Sequence, residues 1–321
     1  MNPTSLKLRG TRKVLVILGP TASGKSELAV KLAQKFNGEI ISADSRQVYR
    51  GLDVGTGKIT KREMKGIPHY LLDVANPKKQ FSVSDFLILT NEAIAEIVNN
   101  KSKLPIVVGG TGFYIDALTG VVVFPDVPPN KKLREKLDKK SVTELFKILK
   151  KKDSKRAGTI DPNNKVRLIR ALEIIDKIGF VPQLGSSTSK YDFIYVGLKP
   201  NDLDKRIRKR LLRRFEPMIR EGRKLHKQGL SYKRMHELGL EYRYIAMYLQ
   251  GKTLQGEMVE KLYIAIRHYA KRQMIWFSAK GGSASPEGGK RHVRNKKIKW
   301  FKSEKYKKIE SYLVKSLRIY K

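Results

Sequence analysis

The eight residues Gly19 to Ser26, GPTASGKS, constrain this chain more than any other stretch. They fit the pattern G-x-x-x-x-G-K-[ST], and their surroundings are those the pattern needs. Before them, Val14 to Leu18 is a short, β-branched apolar run, as in a strand buried on both faces. After them, Leu28, Ala29, Leu32, Ala33 and Phe36 recur on one face of a helix. Between the two, Gly19 and Gly24 let the backbone curl around Pro20, Thr21, Ala22 and Ser23, so that successive amides aim at one anion. The helix N-terminus adds its partial positive charge. Lys25 supplies a full charge, and Ser26 offers a hydroxyl to a Mg²⁺ bridging the phosphates. The stretch predicts a di- or triphosphate site without saying which.

The rest of the chain repeats the strand–helix rhythm. Strands are predicted at Glu39–Ser42, Pro68–Val74 and Pro105–Val108, with a helix over Ser84–Val98 that turns Phe86, Leu87, Ala93, Ile94 and Ile97 inward. This order argues for a parallel α/β sheet with helices on both faces. Proline-rich Phe124–Asn130 marks a boundary. Lys131–Ile178 then reads as helical throughout, broken at Asp161-Pro162, a good N-cap followed by a good first helical residue. Strand character returns at Phe193–Leu198. Basic helices follow over Leu203–Gln228, Met235–Leu249 and Glu257–Phe277. A Gly/Ser stretch at Lys280–Lys290 precedes a last strand, Ile298–Lys302, and a last helix, Lys305–Leu317. The layout is a core in two parts, 1–122 and 192–321, interrupted by a helical insertion at 123–191.

Charge and composition narrow the partners. The 321 residues hold 68 Lys and Arg against 30 Asp and Glu, a net charge of +38. That excess calls for a polyanion, most simply nucleic acid. No apolar run approaches the ~20 residues of a spanning helix, and the apolar stretch after the basic N-terminus is too short for a signal peptide and runs straight into the glycine loop. A cytoplasmic protein is expected. The chain has no cysteine, so thiol nucleophiles and Cys-ligated zinc are excluded. The five histidines show no metal spacing.

Several further residues gather at predicted strand ends, where α/β sheets bind ligands. Asp44 follows the second strand in SADSRQVY and either accepts a proton or caps the next turn; Ser45 and Gln47 are placed to hold a base edge. Gly109-Gly110-Thr111 ends the Pro105–Val108 strand where an ATPase would carry an Asp for its Mg²⁺. That weakens the case for hydrolysis and leaves room for group transfer from a bound pyrophosphate. Arg167 and Arg170 flank the buried face of one helix. Arg206, Arg208, Arg210, Arg213 and Arg214 crowd another, and their mutual repulsion points to anionic ligands. Lys271, Arg272 and Gln273 lie beside Trp276 and Phe277, an interleaving of charge and aromatics suited to nucleic acid.

Six motifs in this order, GPTASGKS, SADSRQVYRGLDVGTGK, PHYLLD, PIVVGGTGFYI, DPNNKVRLIRALEI and YAKRQMIWF, resemble the tRNA dimethylallyltransferases, also called tRNA isopentenyl transferases. The likeness runs from about residue 13 to about residue 302. It implies a P-loop NTPase-like parallel core with a small all-helical insertion that binds tRNA. It also implies transfer of a dimethylallyl group from dimethylallyl diphosphate to N6 of adenosine 37, beside the anticodon of tRNAs reading codons that begin with U. By that resemblance Gly19 to Ser26 hold the diphosphate with Thr21 close to it, Asp44 is the general base, and Arg210 (or Arg214) grips the diphosphate. Asp44, Ser45, Arg46, Gln47, Thr111, Arg134 and the run Val166, Arg167, Leu168, Ile169 and Arg170 meet tRNA. The chain departs from the pattern at Arg46, where Met or Ala is frequent, and at Gly239-Leu240-Glu241-Tyr242-Arg243, where G-Y-R-Q is usual. Lacking a cysteine zinc finger, it is closer to the bacterial form, and a monomer is expected. A small-molecule kinase, a prenyl transferase acting on AMP or ADP, and a non-enzymatic RNA-binding switch are the rival readings of the phosphate loop.

Overall fold

The computed structural model describes residues 13–100, 103–122, 125, 127–182, 189–278 and 294–317. Strand β1 (Lys13–Leu18) leads through the phosphate loop into α1 (Lys25–Phe36) and β2 (Gly38–Ser42). After the short α2 (Lys61–Met64) comes β3, which is only His69–Tyr70 rather than the whole of Pro68–Val74. Leu71 and Asp73 adopt positive φ, 60° and 58°, which breaks the extended run. Helix α3 (Val83–Ala95) begins one residue earlier than predicted, because Ser82 and Asp85 form a capping box, and it ends in a π-helical turn at Glu96–Asn100. Strand β4 (Leu104–Gly109) and helix α4 (Gly112–Leu118) complete the first part.

β1, β2, β4 and β5 (Asp192–Leu198) form a sheet with edge strands β3 and β6 (Lys299–Phe301), in the order β3-β2-β4-β1-β5-β6. Every pairing is parallel. The alternation along β1 explains why both faces are covered. Leu15 and Ile17 pack with α1 and the last helix, α13 (Tyr306–Leu317), while Val14, Val16 and Leu18 pack with Phe86 and Ile94 of α3 and Ile115 of α4. Val14 to Leu18 have no exposed surface.

The region predicted to be one broken helical run folds as four helices, α5 (Lys131–Asp138), α6 (Val142–Lys152), α7 (Ser154–Ala157) and α8 (Lys165–Ile178). Leu145, Leu149, Leu168 and Leu172 form a hydrophobic cluster of their own there. The cap of α8 is Asn164, whose side chain accepts from the Arg167 N–H, not Asp161, which closes a turn onto Asn163 N. Beyond β5, α9 (Leu203–Lys227) packs with α11 (Leu240–Leu249) and α12 (Gln255–Phe277) over Val48, Tyr49 and Leu52. Met235–Leu249 is two helices, α10 (Tyr232–Leu238) and α11, because Gly239 turns the chain at φ 75°. The predicted Lys280–Lys290 stretch lies outside the described residues.

Candidate active site

The carboxyl ends of β1, β2 and β4 come together because these strands are neighbours in one parallel sheet. Each end carries one motif. After β1, Gly19 takes φ 144°, and a Cβ there would fall 2.5 Å from the Leu198 carbonyl oxygen, so only glycine lets the loop lie against β5. Ala22 and Gly24 also take positive φ, and Ser23 is fully buried. Lys25 curls back over the loop, its Nζ donating to Pro20 O at 2.6 Å and Ser23 Oγ at 3.5 Å. Burial pushes the Lys25 amine down to about 7; Asp44 opposes the shift and Arg210 adds to it. The three groups therefore lie within one electrostatic neighbourhood. Ser26 is exposed at the start of α1.

After β2, Asp44 caps the turn that follows it. Its Oδ1 accepts from the N–H groups of Arg46 (2.8 Å) and Gln47 (3.3 Å), capping the turn. Its other oxygen has no hydrogen-bond partner among the described residues. The cap orients the carboxylate and leaves one oxygen open. Thr111, just past β4, accepts from Ser45 N at 3.0 Å, tying the ends of β2 and β4 together. Arg46 donates from Nε to Leu238 O at 2.5 Å. A cavity of about 370 Å³ opens beside this turn, lined among others by Ser45, Arg46, Arg243, His268, Tyr269 and Arg272.

Gln273 corrects an expectation. It was read as facing nucleic acid, but it is only 6% exposed and its amide is used at both ends. Thr21 N donates to its Oε1 at 2.8 Å, and its Nε2 donates to Gly110 O at 2.9 Å. It is a clamp between the phosphate loop and the β4 turn. Its neighbours Lys271 and Arg272 are exposed. Trp276 and Phe277 are inward-facing, with Phe277 fully buried.

In the helical insertion, Leu168 and Ile169 are 0% and 9% exposed and belong to the apolar cluster, so their side chains do not face a ligand. Val166 (74% exposed) and Arg167 do face outward. Arg134 and Arg170 both turn to the buried Glu173. Arg134 donates through Nε and Nη2 at 2.8 Å each, and Arg170 through Nη1 at 2.5 Å. Burial opposes ionisation of Glu173, yet the bonds from Arg134, Arg170 and Asn130 N outweigh it and hold its carboxyl below the usual range.

Arg210 and Arg214, which the sequence left as alternatives, sit side by side with different partners. Arg210 Nη2 donates to Gly57 O at 3.0 Å. Burial first, then the Arg214 charge, lowers its pKa to about 10. Arg214 donates to Gly55 O (3.2 Å) and pairs with Glu241 (3.3 Å). Glu241 is therefore the local counter-charge where the motif departs from its usual form, and burial raises its pKa. Sequence reasoning missed Tyr269, whose phenol is pushed up by burial and by the nearby Asp44. It stands four residues before Gln273 on the same helical face, which was the available signal.

A glycine-bent loop with its lysine, set at the carboxyl end of β1 in a parallel sheet, with an acid on the same rim after β2, two strands away, defines a P-loop protein. Comparison with known proteins narrows the class. The family model described as IPP transferase matches residues 47–280. A tRNA dimethylallyltransferase 2 of Treponema denticola is 43% identical over 285 residues, covering 86% of this chain and 95% of its own. A tRNA dimethylallyltransferase of Thermoanaerobacter is 40% identical over 314 residues, covering 93% and 94%. Among solved structures, the tRNA isopentenylpyrophosphate transferase of Bacillus halodurans superimposes with a TM-score of 0.68 at 34% identity, covering 96% and 97%. A eukaryotic dimethylallyltransferase acting on tRNA gives 0.79 at 26%, covering 95% of this chain and 78% of its own. The chain belongs to the IPP transferase family.

Proposed function

We propose that this chain transfers the dimethylallyl group of dimethylallyl diphosphate to N6 of adenosine 37 in tRNAs reading codons that begin with U, giving N6-(dimethylallyl)adenosine. The observation that carries the reading is the convergence of Lys25, Asp44 and Arg210 at the phosphate loop. An exocyclic adenine amine is a weak nucleophile, because its lone pair is delocalised into the ring. The diphosphate must leave readily, and the amine must lose a proton as it attacks. The loop amides from Gly19 to Ser26, with Lys25 and Arg210, stabilise the charge that grows on the leaving diphosphate. Asp44 takes the proton on its open oxygen while its capped oxygen fixes its direction. Thr21 lies on the loop beside the reacting diphosphate. Access to N6 needs the base out of its stack, which an anticodon loop permits more easily than a duplex.

Ser26 exposes a hydroxyl at the loop, and no metal-binding group of His, Asp and Glu occurs among the described residues. Such a donor set fits Mg²⁺ carried largely by diphosphate oxygens and water, with Ser26 as its protein ligand, where it would neutralise phosphate charge. We assign tRNA contact to Asp44, Ser45, Arg46, Gln47 and Thr111, half-buried at the strand ends, and to the exposed Val166, Arg167, Lys271 and Arg272. The helices between residues 123 and 191 form the tRNA-binding insertion in a core made of 1–122 and 192–321. Among the described residues no helix is long and apolar enough to cross a membrane, and a tRNA substrate supports work in the cytoplasm. The test offers radiolabelled dimethylallyl diphosphate with tRNA, with AMP, or with neither, alongside an ATPase measurement. Label on tRNA alone is expected; label on AMP, or ATP turnover with no transfer, overturns the reading.

A further inference from the structure

We infer that Glu221 is a positioning residue for Arg210, acting through the loop from Asp53 to Gly57; the inference rests on Arg210 gripping the diphosphate. Glu221 stands eleven residues after Arg210 and seven after Arg214, so all three share one face of α9. Among the described residues its carboxylate has no ion-pair partner. Instead Oε2 accepts from Asp53 N (2.9 Å) and Val54 N (2.6 Å), and Oε1 accepts from Gly55 N (2.9 Å) and the Tyr242 hydroxyl (2.7 Å). Three successive amides around one charged acceptor are the arrangement by which backbone grips an anion; here the anion is the protein's own. Charge-assisted bonds of this kind are about twice as strong as neutral ones.

The pinned loop then returns two carbonyls to the same helix. Gly57 O receives Arg210, and Gly55 O receives Arg214. Gly57 takes φ 61°, and a Cβ there would collide with both guanidinium groups, so the loop is shaped to their outline. The Gly57 carbonyl is the one hydrogen-bond partner of Arg210 among the described residues. The neighbouring Arg214 charge repels it. Loosening the loop therefore frees Arg210 to swing away from the phosphate loop. Glu221 itself needs no contact with substrate.

The experiment compares Glu221→Gln and Tyr242→Phe with the unaltered chain, alone and in an Arg210→Lys background. An amide at 221 turns N–H groups toward backbone N–H donors and surrenders at least one of the four bonds. Glu221→Gln is expected to raise the KM for dimethylallyl diphosphate about tenfold and leave that for tRNA within about twofold. Tyr242→Phe, which removes one hydroxyl and keeps the packing, is expected to raise it about two- to threefold. In the Arg210→Lys background either change shrinks to less than about twofold, since the group it acts through is gone. Equal effects in both backgrounds, or KM values for both substrates rising together, overturn the inference and leave Glu221 a stability residue. If Glu221→Gln does not fold, Tyr242→Phe carries the same comparison. Calorimetry with dimethylallyl diphosphate alone repeats the cycle without tRNA, so a failure of the transfer reading is seen separately, as absent label on tRNA.

Discussion

Replacing Gln273 by leucine removes the amide that joins the phosphate loop to the β4 turn while nearly conserving side-chain volume, so the packing term is small. Two bonds are lost. The bond to Gly110 O is buried, and an unpaired buried carbonyl costs about 1–3 kcal/mol. The bond from Thr21 N is half-buried, where water can substitute, so its loss costs about 0.5–1.5 kcal/mol. The sum is about 3 kcal/mol. For a chain of this length that lowers Tm by roughly 4–5 °C. Because the freed amide belongs to the phosphate loop, the KM for dimethylallyl diphosphate also rises, while the KM for tRNA changes little. Differential scanning calorimetry and steady-state transfer kinetics read the two effects. A Tm within about 1 °C of the unaltered chain would mean that the amide carries no energy, and an unchanged diphosphate KM would mean that the clamp does not shape the loop. Gln273→Glu is the companion variant. It keeps the acceptor for Thr21 N but sets a carboxylate oxygen against Gly110 O, so it too is destabilising.

Other perturbations follow from the same geometry. Asp44→Asn keeps an acceptor for the Arg46 and Gln47 amides but cannot take a proton; transfer should fall about 10²–10⁴-fold with tRNA affinity, read by filter binding, within about twofold. If turnover survives within threefold, Asp44 is not the base. Lys25 titrates near 7 in the free protein, so its charge is present below that pH and lost above it. Diphosphate affinity should therefore weaken as pH rises from about 7, and comparison with Lys25→Arg, whose guanidinium keeps its charge, cancels titration of the ligand; parallel pH profiles for the two proteins would refute the assignment. Glu173→Gln leaves Arg134 and Arg170 without their shared counter-charge, and because both are about one-third exposed the loss is limited to about 2 kcal/mol. Since the Glu173 pKa is depressed in the fold, its contribution is present above about pH 4 and lost as pH falls through the folded value. Hydrogen exchange over residues 131–178 in acid should show selective loosening, and uniform protection would contradict it.

Much of this was legible in the residues because the signals are local. A buried strand, a glycine loop and an apolar helical stripe occupy Val14 to Phe36 without interruption, and steric and hydrogen-bonding rules fix that unit on its own. Asp44 and Thr111 were placed near the loop by strand order alone, since parallel strands bring their carboxyl ends to one rim. Boundaries set by single backbone angles were not legible: the break at Gly239 and the short β3 depend on φ values that sequence periodicity does not carry.

The sequence by itself determined the sheet, the phosphate loop and the acid opposite it. Only the tertiary structure decided which polar side chains face a ligand and which face the protein. Gln273, Arg134 and Arg170 read as surface chemistry along the chain, yet each is spent on internal partners between 3 and 252 residues away. It also separated Arg210 from Arg214, by giving one a lone carbonyl and the other a carboxylate. The physical reason is that a polar group leaving water must find a partner, and which partner is within reach depends on how distant segments pack, which no local pattern encodes.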